Sequence, residues 1–282
     1  MLKPNDKIVY DFGMNNGDDV DYYLRKGCVV IGVEANPLLV DSCRSRFEKE
    51  IGKGAVVLLN FALSRESSDE LIPFYVHKTN HVLSQVTLPQ ETDQFETVFV
   101  RQRRASDIIR QYGDPHYIKI DLELFDQIVL ADIFDHGFRP QYISAESHTV
   151  DVFVQMVAAG YTAFNLVDGV SVHSVYRNAK ILTQGATLNY QFPHHSAGPF
   201  GEDIVSPWMD KESFFYYLAS VGLGWKDIHA TLLDVPTSQH RRPDVILSFR
   251  QHLSSLMPSF MVALSRRLRS LRSKLTTRFT KS

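Results

Sequence analysis

The first half of the chain alternates between short apolar runs and amphipathic stretches. Residues 7–13 (KIVYDFG), 29–36 (VVIGVEAN) and 55–64 (AVVLLNFALS) are apolar runs of strand length. The last is continuous rather than alternating, which predicts a strand buried on both faces of a parallel sheet. Residues 18–26, closed by Gly27, and residues 37–50, entered through Pro37, read as helices. Residues 71–76 and 97–101 read as short strands around a polar loop. Beyond them lie a helix at 105–112, a strand at 116–123 (HYIKIDLE), a helix at 127–136 and a strand at 142–147 (YISAES). A helix at 150–159, ended by Gly160, and a strand at 163–168 complete the clear pattern. Alternation of this kind predicts an α/β fold: a doubly wound, mostly parallel sheet with right-handed crossovers.

From residue 171 to 243 the periodicity fades into a loop-rich extension. Residues 189–208 (NYQFPHHSAGPFGEDIVSPW) predict a long loop, and long loops in compact domains are usually functional. Gly198 and Gly201 would be the pivots of a lid over an acceptor; a solvent-exposed connection is the competing reading.

Composition adds limits. Hydrophobic residues make up 44% and charged residues 22%, as in soluble globular proteins. No stretch of about 18 apolar residues is present, so no transmembrane helix is expected. The opening residues lack the apolar core of a signal peptide. Cys28 and Cys43 are expected to be reduced thiols in a cytoplasmic protein. The net charge of −2 conceals an asymmetry. Residues 250–282 hold eight Arg or Lys and no acid, leaving 22 basic against 32 acidic residues in the remainder. That acidic body argues against a nucleic-acid partner. The chain therefore divides into a domain at 1–250 and a basic tail at 251–282. In the tail, Leu256, Phe260, Leu264, Leu268, Leu271, Leu275 and Phe279 follow at steps of three or four, the spacing of an amphipathic helix. Such a helix fits peripheral contact with an anionic membrane surface. Packing on the acidic body and a disordered tail are the alternatives.

The strongest chemical signal is the run Asp11-Phe12-Gly13-Met14-Asn15-Asn16-Gly17 at the end of the first strand, with Glu34 ending the second. Glycines permit a tight turn beside a ligand, and an acid at the second strand end can accept from both ribose hydroxyls. The pattern fits a dinucleotide or S-adenosylmethionine. Charge separates the two. A pyrophosphate needs a bare helix N-terminus, whereas Asp11, Asp18 and Asp19 would repel it and suit the ammonium and sulfonium of S-adenosylmethionine. Asp18 and Asp19 could also simply cap the following helix.

In these motifs the chain resembles the FkbM-type family of S-adenosylmethionine-dependent methyltransferases. The resemblance spans roughly residues 7–165. It rests on Asp11, Gly13, Asn15 and Gly17; on Glu34 in Val33-Glu34-Ala35-Asn36-Pro37; on Asn60-Phe61-Ala62-Leu63-Ser64; on Lys119-Ile120-Asp121-Leu122-Glu123; and on Ile143-Ser144-Ala145-Glu146. Leu124 stands where the family usually has Gly, so the backbone there is expected to take its own path. The resemblance implies a class I, Rossmann-like fold with a seven-stranded sheet. It implies S-adenosylmethionine bound by Asp11, Gly13, Asn15, Gly17, Glu34, Asn60, Phe61, Ala62 and Asp121. It implies methylation of a hydroxyl on a sugar, glycan or natural product.

In open α/β sheets the ligand lies beyond the C-terminal strand ends, where Asp121, Glu146 and His148 are expected to handle protons. A structural ion-pair network among Lys119, Asp121 and Glu123, with His148 as a helix cap, is the competing reading. No metal is expected, because no His, Cys or carboxylate set has ligand spacing. An NAD-dependent oxidoreductase or epimerase, and a non-catalytic module at a membrane surface, are the other functions the sequence admits.

Overall fold

The computed structural model describes residues 6–238 apart from residue 184. The basic tail at 251–282 lies outside the described residues. The chain runs through β1 (Ile8–Phe12), α1 (Val20–Arg25), β2 (Val29–Glu34), α2 (Pro37–Arg46), α3 (Glu48–Gly52) and β3 (Val56–Asn60). It continues through β4 (Ala62–Leu63), β5 (Ser68–His77), β6 (Phe95–Arg103), α4 (Ala105–Tyr112), β7 (Pro115–Ile120), α5 (Asp126–Asp135), β8 (Tyr142–Ser147) and α6 (Asp151–Ala158). The remainder holds β9 (Ala163–Asp168), α7 (Val172–Val175), β10 (Ala179–Leu182), β11 (Thr187–Tyr190), β12 (Trp208–Asp210), α8 (Lys211–Val221), β13 (Gly224–Thr231) and β14 (Thr237–Ser238).

The central sheet has the order β14-β12-β9-β13-β8-β7-β1-β2-β3. Among the described residues it has nine strands rather than the expected seven, because the short β12 and β14 extend one edge. Strands β8, β7, β1, β2 and β3 are mutually parallel, whereas β13 runs antiparallel between β8 and β9. The architecture is α/β with a mostly parallel central sheet.

Two apolar cores flank the sheet. On one side Tyr10, Phe12, Ile118, Ile120, Ile143 and Ile228 pack with α4, α5, α6 and α8. On the other, Val9, Val30 and Tyr117 pack with Tyr22 and Tyr23 of α1 and with Phe200. The second side carries polar side chains as well. Alternation along the strands puts Asp11, Lys119, Ser144, Glu146, Asp227 and His229 in one set facing that way.

Several elements differ from the sequence reading for identifiable reasons. The apolar run at 55–64 is not a doubly buried strand. Its first half, β3, is an edge strand of intermediate burial, and after Phe61 the chain leaves to pair with β6 as β4. The predicted helix at 37–50 breaks at Phe47 into α2 and α3.

Segment 196–204 is not a solvent-exposed connection: every residue but Glu202 is buried, and the segment is strapped down. Tyr22 and Asp19 of the α1 region bind it: the Phe200 amide donates to Tyr22 Oη at 3.1 Å, and the Ala197 amide to Asp19 Oδ2 at 3.1 Å. The Phe200 ring stacks on Tyr117 at 4.1 Å and 10°. A buried ion pair, Lys26 Nζ to Asp203 Oδ2 at 2.7 Å, closes its far end.

Candidate active site

The turn after β1 is built by its glycines. The amides of Gly13 and Met14 donate to Val33 O at 3.0 and 3.1 Å, which folds the turn back on β2. Gly13 has φ +84°, and a Cβ there would lie 1.8 Å from the Asp121 carbonyl oxygen. No other residue fits. Asn15 also lies in the left-handed region, with φ 54°, a conformation asparagine tolerates better than most.

That geometry points the Asn15 amide at Glu34, whose Oε2 accepts it at 2.9 Å, while Oε1 accepts the Asn36 amide at 2.7 Å. Burial pushes the Glu34 carboxyl above its ordinary pKa, and the two amides oppose that shift. Each oxygen retains a lone pair for a ligand hydroxyl.

A cavity of about 560 Å³ opens over this turn. Gly13, Asn15, Glu34, Phe61 and Ala62 line one part of it, and residues 80–86, between β5 and β6, line it from another side. Asp121, Glu123, Glu146 and His148 line the rest, with His195 and Trp225. Three of the expected cofactor residues act from behind this surface. Asp11 is fully buried (0%) against Lys119. Gly17, at φ +76°, gives the turn room against Phe47. Asn60 donates from its side chain to the carbonyls of Glu34 and Ala35, both at 2.9 Å, and so positions the second strand end.

Lys119 is the hub of the floor. Its Nζ lies 3.3 Å from Asp11 Oδ1, 3.4 Å from Asp121 Oδ2 and 4.0 Å from Asp19 Oδ2, and it donates to Gly13 O at 3.3 Å. Burial works against its charge, but Asp11, Asp121 and Asp19 together hold it protonated well above the ordinary lysine range. Neither oxygen of Asp11 makes a well-angled hydrogen bond, and burial raises its pKa against the pull of Lys119. Asp19 is no helix cap. Its side chain accepts from Ser196 Oγ and the Ala197 amide, and burial pushes it up to about 6. Asp18 pairs instead with Arg46, at 3.0 Å. The ion-pair network foreseen from sequence thus exists, but Asp11 and Asp19 complete it rather than Glu123.

Glu123 belongs to a second group. His148 Nε2 lies 3.7 Å from Glu123 Oε2, and His148 Nδ1 lies 3.1 Å from Glu146 Oε2. The latter contact is close but poorly angled for a hydrogen bond. Catalytic hydrogen bonds often look this way before a ligand docks. Burial, then Asp121 and Glu123, push Glu146 up to about 9; burial and Asp121 push Glu123 up to about 7. Like charges gathered in a buried site cannot all ionise at once.

One donor atom from each of Glu123, Glu146 and His148 lies within 4.8 Å of the others, a set able to hold a divalent cation that the sequence spacing did not reveal. The sequence reading also missed two buried acids. Asp227 sits opposite Glu146 in register, and Asp126 opens α5; burial followed by Asp121 and Glu146 raises both. The alternation of Asp227, His229 and Thr231 with Ile228 and Ala230 was the available signal.

The peptide after β7 keeps a glycine-like conformation without glycine. Glu123 and Leu124 have φ of 46° and 71°. Two adjacent side chains in the left-handed region cost about 1–2 kcal/mol each, and such strain gathers at functional sites.

Residues 11–175 match the methyltransferase FkbM domain. The chain belongs to the FkbM methyltransferase family. This methyltransferase therefore uses S-adenosylmethionine as its methyl donor, and the oxidoreductase and non-catalytic readings fall away. Its site fits that donor: a glycine turn that admits no Cβ, an acid with free lone pairs at the second strand end, and a cavity continuous from there to Asp121. No curated protein matches the methyltransferase in sequence. Solved structures similar to it include a precorrin-6y C5,15-methyltransferase from Geobacter metallireducens, with 11% identity, TM-score 0.36, and 80% of this chain and 78% of that one covered. A TehB-like SAM-dependent methyltransferase from Corynebacterium glutamicum has 14% identity and TM-score 0.33, with 58% and 70% covered. Among the described residues, no helix is long and apolar enough to cross a membrane.

Proposed function

We propose that this methyltransferase places the methyl group on a hydroxyl oxygen of a sugar, glycan or natural product. The observation that carries the reading is the 3.1 Å approach of His148 Nδ1 to Glu146 Oε2 on the wall of the cavity. Glu146 lies on β8 and His148 just beyond its end, three strand positions from Glu34 on β2, or about 14 Å at the usual strand spacing.

Bound S-adenosylmethionine supplies an activated methyl on a sulfonium, a leaving group that needs no further acid. What remains for the protein is alignment and proton removal. Glu34 accepts the ribose hydroxyls, and Gly13, Asn15, Phe61 and Ala62 line the nucleoside end. Asp121, anchored by Lys119, faces the methionine ammonium or the acceptor. Glu146, 3.1 Å from His148 Nδ1, would accept from Nδ1–H once the acceptor docks and the contact aligns, leaving the Nε2 lone pair to take the hydroxyl proton. The reaction is expected to need no metal, because His148, beside Glu146, can itself take the hydroxyl proton that a bound cation would otherwise acidify. The acceptor is a small molecule or glycan and not a nucleic acid, and residues 251–282 hold the enzyme at an anionic membrane surface.

His148→Gln and Asp121→Asn should each lower kcat about 10²–10⁴-fold, with S-adenosylhomocysteine affinity within a few-fold of wild type for His148→Gln by calorimetry. Turnover should survive EDTA. A folded His148→Gln enzyme with wild-type kcat removes the base assignment; loss of turnover in EDTA, restored by a divalent ion, hands Glu123, Glu146 and His148 to a metal.

A further inference from the structure

Trp225 lines the cavity outside the set of residues assigned above to proton transfer. Gly169 follows β9, and its amide donates to the Trp225 carbonyl at 3.1 Å. A Cβ on Gly169 would lie 2.5 Å from both Cε2 and Nε1 of Trp225. The indole therefore rests directly on the glycine backbone, which fixes its plane. The His195 ring lies beside it, inclined by 27° with centroids 6.2 Å apart. Trp225 nonetheless remains 44% exposed, and both rings line the cavity that holds Asp121, Glu123, Glu146 and His148. A rigid indole left open inside a cavity offers a ligand a large contact area with little ordering cost.

The surroundings restrict what that ligand can be. An aryl or alkyl acceptor would use the indole but strand the carboxyl groups and the imidazole without partners. An anionic acceptor would meet Asp121 and Glu123. A pyranose ring satisfies both demands. Its C–H face, slightly positive, packs on the electron-rich indole face, and its hydroxyls donate to carboxylates around the edge.

We propose that Trp225, flanked by His195 and seated on Gly169, is the stacking platform for an uncharged sugar ring whose hydroxyl is methylated. The proposal rests on the hydroxyl-transfer reading above and narrows it. Trp225 selects and orients the ring and takes no part in proton transfer. Gly169 sets the height of the platform.

The chain has two tryptophans, Trp208 and Trp225, so Trp208→Phe leaves Trp225 as the only indole reporter. That variant, saturated with S-adenosylhomocysteine, is titrated with the methyl glycosides of glucose, galactose, mannose, rhamnose and fucose. Methyl glucuronide and cyclohexylmethanol serve as controls. At least one neutral glycoside should give a saturable fluorescence change, and the controls none. By saturation-transfer NMR, Trp225→Ala should weaken binding of that glycoside about tenfold or more. Trp225→Phe should retain most of it, and the affinity of both variants for S-adenosylhomocysteine should not change. With a turned-over glycoside, Trp225→Ala should raise KM far more than it lowers kcat. If S-adenosylhomocysteine binds but no neutral glycoside does, or if Trp225→Ala binds the glycoside like wild type, the platform is overturned while the methyl-transfer reading stands. Failure to bind S-adenosylhomocysteine would overturn both.

Discussion

The Glu34 carboxylate is held in place before any ligand arrives. The amides of Asn15 and Asn36 occupy one position on each oxygen, at 2.9 and 2.7 Å, and so aim the remaining lone pairs. Glu34→Ala removes both the ligand's acceptor and the partner of two backbone amides. The affinity for S-adenosylhomocysteine should fall by about 1–3 kcal/mol, and unchanged calorimetry would take Glu34 out of the site. Glu146 makes a different prediction. Its carboxyl is raised from 4.5 to about 9 in the fold, so the folded protein holds a proton that the unfolded chain releases. Between those values the folded state binds more protons, and stability is lost as pH rises from about 4.5 to about 9. Glu146→Gln keeps the shape and removes the titration. Its Tm should exceed that of wild type at pH 8, and the advantage should vanish towards pH 4.5. A Tm difference that does not vary with pH would show that Glu146 is not held neutral.

At the scale of elements, parts of the site were legible in the sequence for a physical reason. The turn after β1 and the ends of β2 and β7 carry residues whose type the backbone dictates, such as Gly13 against Asp121. Local constraint leaves a local signal. The segment 189–208 is largely a loop, as its Gly, Pro and His content predicts, but its burial comes from distant partners that leave no local signal: Asp19, Tyr22, Tyr117 and Lys26. The strand β13 was missed. Its polar alternation looks half-exposed, yet the polar side chains Asp227 and His229 are buried. A strap and a lid respond differently to mutation. Ser196→Ala leaves buried Asp19 short of a donor and should cost about 1–3 kcal/mol of stability, read as a lower Tm, with KM for the acceptor unchanged. A mobile lid would show the reverse, with Tm held and KM moved.

Across the whole molecule, charge is distributed as the sequence arithmetic requires, with an acidic body and eight basic residues gathered after residue 249. If the tail holds the enzyme at an anionic membrane, each Arg or Lys near the surface adds roughly 1 kcal/mol. The full chain should then float with phosphatidylserine vesicles at low salt and be released by high salt, and a chain ending at Arg250 should not float. Equal flotation of the two would sink the idea. The placement of β13 has a separate consequence, for how the chain is made. The family match ends at residue 175, but β13 is wedged between β8 and β9 and is hydrogen-bonded to both. Until residues 224–231 have been synthesised, the sheet has an open slot between β8 and β9, lined by two ladders of unpaired backbone. The segment that defines the family is thus not a unit of biogenesis. The nascent enzyme must keep that slot from strangers until β13 itself arrives.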